Sequence, residues 1–172
     1  MSLKRYKERV LPIKNKLYRF ALSIVRDEAE AADVVQEVCI KLWKQWEEID
    51  RVDNLEAWSM RLVKNQAIDK LRSKHRRTGD LEQAYHLPGD EPTPYQRTAA
   101  NDTFARIRRL MDRLPQKQKL VMHLRDIEGL SYQEIGEALD LSMSQVKVNL
   151  FRARKQMRAY LIKSEPYGSP TN

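Results

Sequence analysis

The feature that most constrains this chain is its apolar period. Tyr6, Val10, Ile13, Leu17, Ala21 and Ile24 follow one another at three- and four-residue intervals, and no sustained run of alternating β-branched residues appears anywhere in the sequence. Such a pattern puts one apolar stripe on a helix and cannot serve a strand, so the expected fold class is all-α. Pro12 falls inside this first pattern and predicts a break or a helix start there, since a proline lacks the amide that an interior turn needs. A second helix is expected from about Glu30 to Trp46, burying Val35, Val38, Cys39, Leu42 and Trp43. A third is expected from near Asp53, with Asp53 and Glu56 as its capping pair, to about Lys74.

After Arg77 the period dissolves into TGDLEQAYHLPGDEPTPYQ, which holds Gly79, Gly89, Pro88, Pro92 and Pro94. Helical spacing resumes at about Asn101 and stops at Leu114-Pro115, where the proline suits the first turn of a new helix. That helix carries Leu120, Val121, Leu124 and Ile127 before Gly129 ends it. The chain therefore divides into two small helical domains, 1–78 and 101–163, joined by a flexible linker at 79–100 and followed by a disordered tail at 164–172. A length of 172 residues affords two such pieces, each with a modest core. The linker is acidic, which suits either a solvated tether or a segment lying against a basic surface, and the packing of the two domains in isolation is left open.

Charge narrows the function. A net charge of +8 favours a partner dense in negative charge. The cations are segregated: Arg61 to Arg77 holds seven against the single acid Asp69, and Leu141 to Lys163 holds six and no acid. Two separate basic helices of this kind point to nucleic acid. Acids are segregated too, ten against three cations between Asp27 and Glu56, as suits a surface for a basic protein partner or a solvated face. No apolar run of about 18 residues could span a bilayer, and the first residues have no signal-peptide form, so a cytoplasmic protein without membrane insertion is expected. Cys39 is the only cysteine, and His75, His86 and His123 have no ligand spacing with it. No disulfide, metal or cofactor is expected.

Ser131-Tyr132-Gln133-Glu134 has the form of a capping box, and Ser142-Met143-Ser144-Gln145 repeats it beyond a short turn at Asp140 and Leu141. Two helix starts so close together predict a helix-turn-helix, closed by Ile135, Leu139, Leu141, Val146 and Leu150, with Gly136 allowing close approach. At 100° per residue the second helix buries Val146, Leu150, Ala153, Met157 and Leu161 and presents Ser144, Val148, Phe151, Arg152, Lys155 and Arg158. Cations mixed with valine and phenylalanine suit phosphates and thymine methyl groups in a major groove. The expected contacts are Ser144, Gln145, Lys147, Val148 and Arg152 near base edges, with Asn149, Arg154 and Lys155 near phosphates.

The third helix turns Met60, Val63, Ala67 and Leu71 inward and Arg61, Asn65, Asp69, Arg72 and Arg76 outward, with Trp58 toward the outer side. An indole beside an amide and guanidinium groups fits a site for unstacked bases, because aromatic stacking contributes about 1–3 kcal/mol per base. An indole packed on the preceding loop fits the same sequence.

These residues resemble a known family. Asp33-Val34-Val35-Gln36-Glu37-Val38 with Leu42-Trp43, and Ala57-Trp58 with Lys64-Asn65-Gln66-Ala67-Ile68-Asp69-Lys70-Leu71-Arg72, are similar to region 2 of the extracytoplasmic-function sigma factors. Leu114-Pro115, Glu128-Gly129-Leu130-Ser131-Tyr132-Gln133-Glu134-Ile135, Val146-Lys147 and Phe151-Arg152-Ala153-Arg154-Lys155 are similar to region 4. The resemblance implies a non-enzymatic factor that binds core RNA polymerase and promoter DNA. It implies that the second helix docks on the β′ clamp helices through Asp33, Gln36, Glu37, Ile40 and Trp43. The −10 element would then be engaged, with a flipped base, by Trp46, Asn54, Trp58, Arg61, Asn65, Arg72 and Arg76. Region 4 would read the −35 element and touch the β flap, and an anti-sigma factor would hold the protein inactive. Gly136, Asp140, Val148 and Asn149 depart from residues frequent in the family, so the role carries over but not the promoter recognised.

Two rivals make different demands. A free-standing helix-turn-helix regulator would bind duplex tightly without polymerase. A nuclease would need carboxylates converging on a metal, for which Asp27, Glu28, Glu30 and Asp33 are the nearest cluster, although their spacing reads as a helix start.

Overall fold

A computed structural model describes residues 2–78 and 99–164, with side chains over 2–77 and 102–164; of the expected linker at 79–100 and tail at 164–172, residues 79–98 and 165–172 lie outside the described residues, while residues 99 and 100 already belong to a helix and Ser164 closes one. Helices in chain order are α1 (Leu3–Val25), α2 (Glu28–Lys44), α3 (Trp46–Ile49), α4 (Leu55–Thr78), α5 (Ala99–Met111), α6 (Gln116–Met122), α7 (Tyr132–Leu139) and α8 (Met143–Ser164). A π turn at His123–Ile127 continues α6. Among the described residues there is no strand.

α1 starts on Ser2, whose Oγ accepts from the Arg5 amide at 3.4 Å, and ends on Arg26 in the left-handed region at φ 59°. It runs through Pro12 without the expected break. Pro12 and its neighbours Glu8 and Leu11 are exposed, so the missing amide bond falls on the solvent side. Val10, Leu17 and Phe20 are at most 1% exposed, and their burial holds both halves of the helix on one axis. α2 starts on Asp27, whose Oδ1 accepts from the Glu30 amide at 2.9 Å, with Glu28 and Glu30 complementing the dipole of the first turn.

The short α3 overturns an expectation. Trp46, expected at the end of the second helix and, from the family resemblance, in contact with the −10 element, is 3% exposed and packs its ring edge-on to Tyr6 at 5.2 Å, with the Arg9 guanidinium 5.8 Å from its centre. An indole this large contributes most where apolar surface covers it, and Ile49 from the same turn of helix joins it in the core. α4 is capped by Asn54, not by Asp53: Asn54 Oδ1 accepts from the Ala57 amide at 3.0 Å, and Glu56 pairs with Lys16 at 2.9 Å.

α1, α2 and α4 form the first core, in which Phe20, Val34, Val38, Leu42, Met60, Val63 and Ala67 are at most 1% exposed. Cys39 and Trp43, expected inside, are half-buried. In the second half α8 buries Val146, Leu150, Ala153 and Met157, but Leu161 at the end of the expected stripe is 38% exposed. α8 projects past its partners there. The two halves are packed together, α7 lying on α4 and the π turn lying on α1, and one apolar cluster runs from Val10 through Met60 and Val121 to Leu150.

Candidate nucleic-acid and polymerase interfaces

Three surfaces emerge from this packing. On α2, Asp33, Gln36, Glu37 and Ile40 point outward, Ile40 being 46% exposed. Gln36, Ile40 and Trp43 border a cavity of about 540 Å³ completed by Leu3, Tyr6 and Cys39. Asp33 and Glu37 face the other way, toward α4: Lys70 Nζ lies 3.7 Å from Asp33 and 4.0 Å from Glu37, and Gln66 donates to Glu37. The expected polymerase residues thus form one strip that is apolar on its α1 side and acidic on its α4 side. Leu3 and Tyr6 were missed by sequence reading, although their helical phase with Val10 was visible. Tyr6 donates to the Cys39 carbonyl at 2.8 Å, and burial raises its phenol to about 12, so it stays neutral.

Asp27, Glu28, Glu30 and Asp33 do not converge. Asp27 caps α2, Glu30 lies 3.6 Å from Lys74, and among the described residues no group of side chains could hold a metal ion.

α4 carries the second surface. Trp58 is 40% exposed, and Arg61, Asn65, Asp69, Arg72 and Arg76 are exposed along the same side. The opposite side is packed with Met60, Val63 and Ala67. Asn54 is half-buried at the start of this helix with its amide oxygen committed to the cap, which makes it a residue that positions α4.

The third surface is the helix-turn-helix of α7 and α8. The capping box at Ser131 is closed in both directions, Ser131 Oγ accepting from the Glu134 amide at 3.1 Å and Glu134 accepting from the Ser131 amide at 3.4 Å. The turn is fixed by Asp140 in the left-handed region at φ 56°, with its amide donating to the Gly136 carbonyl. Gly136 serves this turn: a Cβ there would lie 2.8 Å from the Leu141 carbonyl oxygen.

On α8 the expected contacts separate. Gln145 Oε1 accepts from the Ser142 amide at 2.9 Å and the Gln145 amide donates to Ser142 Oγ at 3.2 Å, so this side chain closes the second capping box. Asn149 Nδ2 donates back to the Gln145 carbonyl at 2.8 Å. Arg154 forks onto Asp126 at 3.1 and 2.5 Å, and that hydrogen bonding raises its already high pKa. Ser144, Lys147, Val148, Arg152 and Lys155 stand exposed, beside Phe151 at 68% exposure.

Sequence reading missed a further group. Arg19 donates from Nε and Nη2 to the two carboxylate oxygens of Glu128, both at 2.8 Å, and the Glu128 side chain is fully covered. His123 Nε2 lies 3.3 Å from the same carboxylate, outside hydrogen-bonding geometry, with its ring stacked at a tilt on Phe20. Burial pushes the Glu128 carboxyl up, but His123 and Arg19 together outweigh it and hold it at about 2. Burial also lowers the His123 pKa, against the pull of Glu128. Nothing local in the sequence could have paired residues 109 positions apart.

Known proteins supply the same frame. Residues 10–77 match the family Sigma-70 region 2, and residues 104–157 match Sigma-70, region 4. RNA polymerase sigma factor SigV of Bacillus subtilis (strain 168) is 30% identical over 153 residues, covering 88% of each chain. ECF RNA polymerase sigma factor SigE of Mycolicibacterium smegmatis is 30% identical over 151 residues, which are 87% of this chain and 58% of that protein. The fold is similar to that of the sigma factor RpoE from Bartonella quintana, solved in complex with the anti-sigma factor NepR, with a TM-score of 0.78, 21% identity and coverage of 95% of this chain and 100% of that one. No helix of the described residues is long and apolar enough to cross a membrane. Two family matches in the right order, on a chain of which 88% aligns with SigV, lead to one conclusion: the protein belongs to the extracytoplasmic-function sigma factors, which bind core RNA polymerase and direct promoter-specific transcription initiation without catalysing a reaction themselves.

Proposed function

We propose that residues 1–78 form the region that grips polymerase and the −10 element, that the second half from α5 to α8 reads the −35 element, and that the segment between them serves as the tether. The observation that carries this reading is the pair of outward faces on α4 and α8, each combining exposed cations with an exposed apolar group, Trp58 on one and Val148 and Phe151 on the other. On α4, Arg61, Arg72 and Arg76 track phosphates while Trp58 and Asn65 hold an extruded base, which offsets an unstacking cost of a few kcal/mol. On α8, Arg152, Lys147 and Ser144 meet base edges, Val148 meets a thymine methyl, and Lys155 meets a phosphate.

The strip of Asp33, Gln36, Glu37, Ile40 and Trp43 docks on the β′ clamp helices, its apolar cavity taking an aliphatic side chain and its acids taking cations. The outer face of the second half touches the β flap. An anti-sigma factor covers these surfaces until release, a reading supported by the similar fold of the sigma factor RpoE, which was solved in complex with the anti-sigma factor NepR. The working compartment is the cytoplasm, where polymerase and promoter meet.

Neither face alone binds tightly, and selectivity arises when polymerase fixes both on one promoter so that the second contact becomes intramolecular. Run-off transcription on a promoter library, with and without core enzyme, tests this. Transcripts are expected only with both components, and a gel shift by the pure chain as tight as that with core would favour the free-standing regulator instead.

A further inference from the structure

Along the outward side of α8, Ser144, Val148, Phe151, Arg152 and Lys155 follow one another at three- and four-residue intervals, and all are exposed, with Lys147 exposed at their edge. Val148 stands close to the pole opposite the buried Val146, Leu150 and Ala153. It is 42% exposed, and Phe151 one turn further on is 68% exposed, so the centre of a cationic face is apolar.

The polar capacity of this side is unusually restricted. Reading adenine takes a side chain that accepts from the exocyclic amine while donating to N7, and reading cytosine takes an acceptor for its amine; guanine asks only for donors, and thymine is marked by its methyl group. α8 has no carboxylate. Gln145 Oε1 already accepts from the Ser142 amide at 2.9 Å. Asn149 is half-buried, lies roughly 100° around the helix from Val148, and donates from Nδ2 to the Gln145 carbonyl at 2.8 Å. Ser144 Oγ shares a hydrogen bond with Ser142 Oγ at 3.2 Å, and a hydroxyl serves any base without choosing. What is left is Arg152 and Lys147, which only donate, and Val148 and Phe151, which do neither.

We propose that α8 distinguishes base pairs by two marks alone, the paired acceptors of guanine, met by Arg152, and the 5-methyl group of a pyrimidine, met by Val148 with Phe151, and that it is blind to exocyclic amino groups. 5-Methylcytosine therefore stands in for thymine opposite Val148, so that methylation of a cytosine at that site strengthens the element. This reading rests on the proposed docking of α8 at the −35 element. A valine forms no hydrogen bond and does not sense the exchange of the thymine oxygen for the cytosine amine, whereas it covers the methyl group in either base. Val148 and Arg152 are separated by about 6 Å of helix rise, so the methylated pyrimidine and the guanine lie within about two base-pair steps of 3.4 Å.

The test uses the full chain with core polymerase and a promoter fragment whose −35 region is selected from a randomised pool. Analogues are then placed in the selected element. Uracil is expected to weaken binding about fourfold at one thymine, the value of one methyl group removed from water. A cytosine–guanine pair there should bind as weakly as uracil, and 5-methylcytosine should return binding to within about twofold of thymine. Replacing the adenine partner by 2-aminopurine, which moves the amine to the minor groove, should change nothing. 7-Deazaguanine within about two pairs of that site should weaken binding about fivefold, since half of a bidentate contact is lost. Val148→Ser should abolish the response to uracil and 5-methylcytosine and keep that to 7-deazaguanine; Arg152→Ala should do the reverse. Equal binding of cytosine and 5-methylcytosine, a loss with 2-aminopurine, or a response to uracil that survives Val148→Ser would each overturn the two-mark reading. A selection that returns no preference in the −35 region would instead count against the docking of α8 there, and it is read before any analogue is used.

Discussion

α4 and α8 are both basic, and they reach that state by opposite routes. Around α4 the acids of the neighbouring helix draw cations to one side: Lys70 lies near Asp33 and Glu37, and Lys74 near Glu30, while Arg61, Arg72 and Arg76 are exposed on the other. α8 contains no acid, and its Arg154 is engaged by Asp126 of the preceding π turn. The first helix is a sorted surface with an aromatic platform, and the second is an unsorted one whose first turn is occupied in capping itself. Under the proposed assignment the difference has a meaning: a sorted face with a platform suits holding a base once delivered, and an unsorted cationic face suits attracting a duplex and sampling it.

Removing the platform should produce the largest effect. Trp58→Ala is expected to lose about 1–3 kcal/mol of base stacking, up to about 150-fold in open-complex formation on duplex promoter with core enzyme. A template already melted over the −10 element should recover most of that loss. Equal loss on both templates would make Trp58 a packing residue and erase the contrast between the helices. Arg152→Ala on α8 should weaken promoter binding by about 1–3 kcal/mol and relax preference at one base pair of the −35 element, whereas Lys155→Ala should leave preference intact and reduce the salt slope by about 0.9. Binding across a set of single-base variants at several salt concentrations separates the two behaviours.

Much of this contrast was legible before any coordinates. The inward stripe Met60, Val63, Ala67 and the buried Val146, Leu150, Ala153, Met157 follow from period alone, because a helix of that length has only one way to bury its apolar residues. Asp140 in the left-handed turn and the twin capping boxes follow from local backbone chemistry. What period cannot supply is a partner. Trp46 reads as an exposed contact residue until Tyr6 is placed against it, and Pro12 reads as a break until the packing on either side is seen to outweigh one lost bond. Gln145 and Asn149 belong to the exposed part of α8, but their side chains are committed to their own helix start. The Arg19–Glu128 pair joins segments with no shared motif, so only the fold reveals it.

A smaller and more local effect is expected at the turn between α7 and α8. Gly136→Ala places a Cβ 2.8 Å from the Leu141 carbonyl oxygen; the strain, about 1–3 kcal/mol, exceeds the gain of about 1 kcal/mol from better helix propensity. Thermal unfolding should show a modest net loss of stability. Duplex binding through α8 should fall while binding of single strands to α4 stays at the parent level. Loss of both together would mean that the turn supports the whole molecule and not α8 alone.

Acid should loosen the joint between the halves before it touches either helix. His123 is buried with its pKa below the usual 6.5, facing Glu128, Arg19 and Arg108, so the unfolded or opened chain binds the extra proton more readily. The stability it contributes is complete above pH 6.5 and is lost as pH falls through its lower folded value. Glu128, held at about 2 instead of 4.5, adds a loss of the same sign below pH 4.5. Energy transfer between fluorescent labels attached to exposed positions of α4 and α8 is expected to decline as pH falls below 6.5 while helical circular dichroism is retained. His123→Gln should flatten that decline.

The smallest effect tests the unsorted helix at the acid that pairs with Arg154. Asp126 is partly exposed, and a surface pair of this kind contributes about 0.2–1 kcal/mol, so Asp126→Asn should barely move the unfolding midpoint. Its effect on DNA should be larger than its effect on stability. Arg154 loses its fork, the surface loses one negative charge, and the guanidinium can turn toward a phosphate, which should steepen the salt dependence of duplex binding by up to about 0.9. The corresponding change on the sorted helix, Glu37→Gln, alters a contact on the side away from the reading face and should leave single-strand binding at its parent salt slope. A steeper slope from Asp126→Asn and none from Glu37→Gln is the pattern expected if α4 separates its charges by side while α8 does not; matching slopes would show that the acids around both helices merely tune total charge.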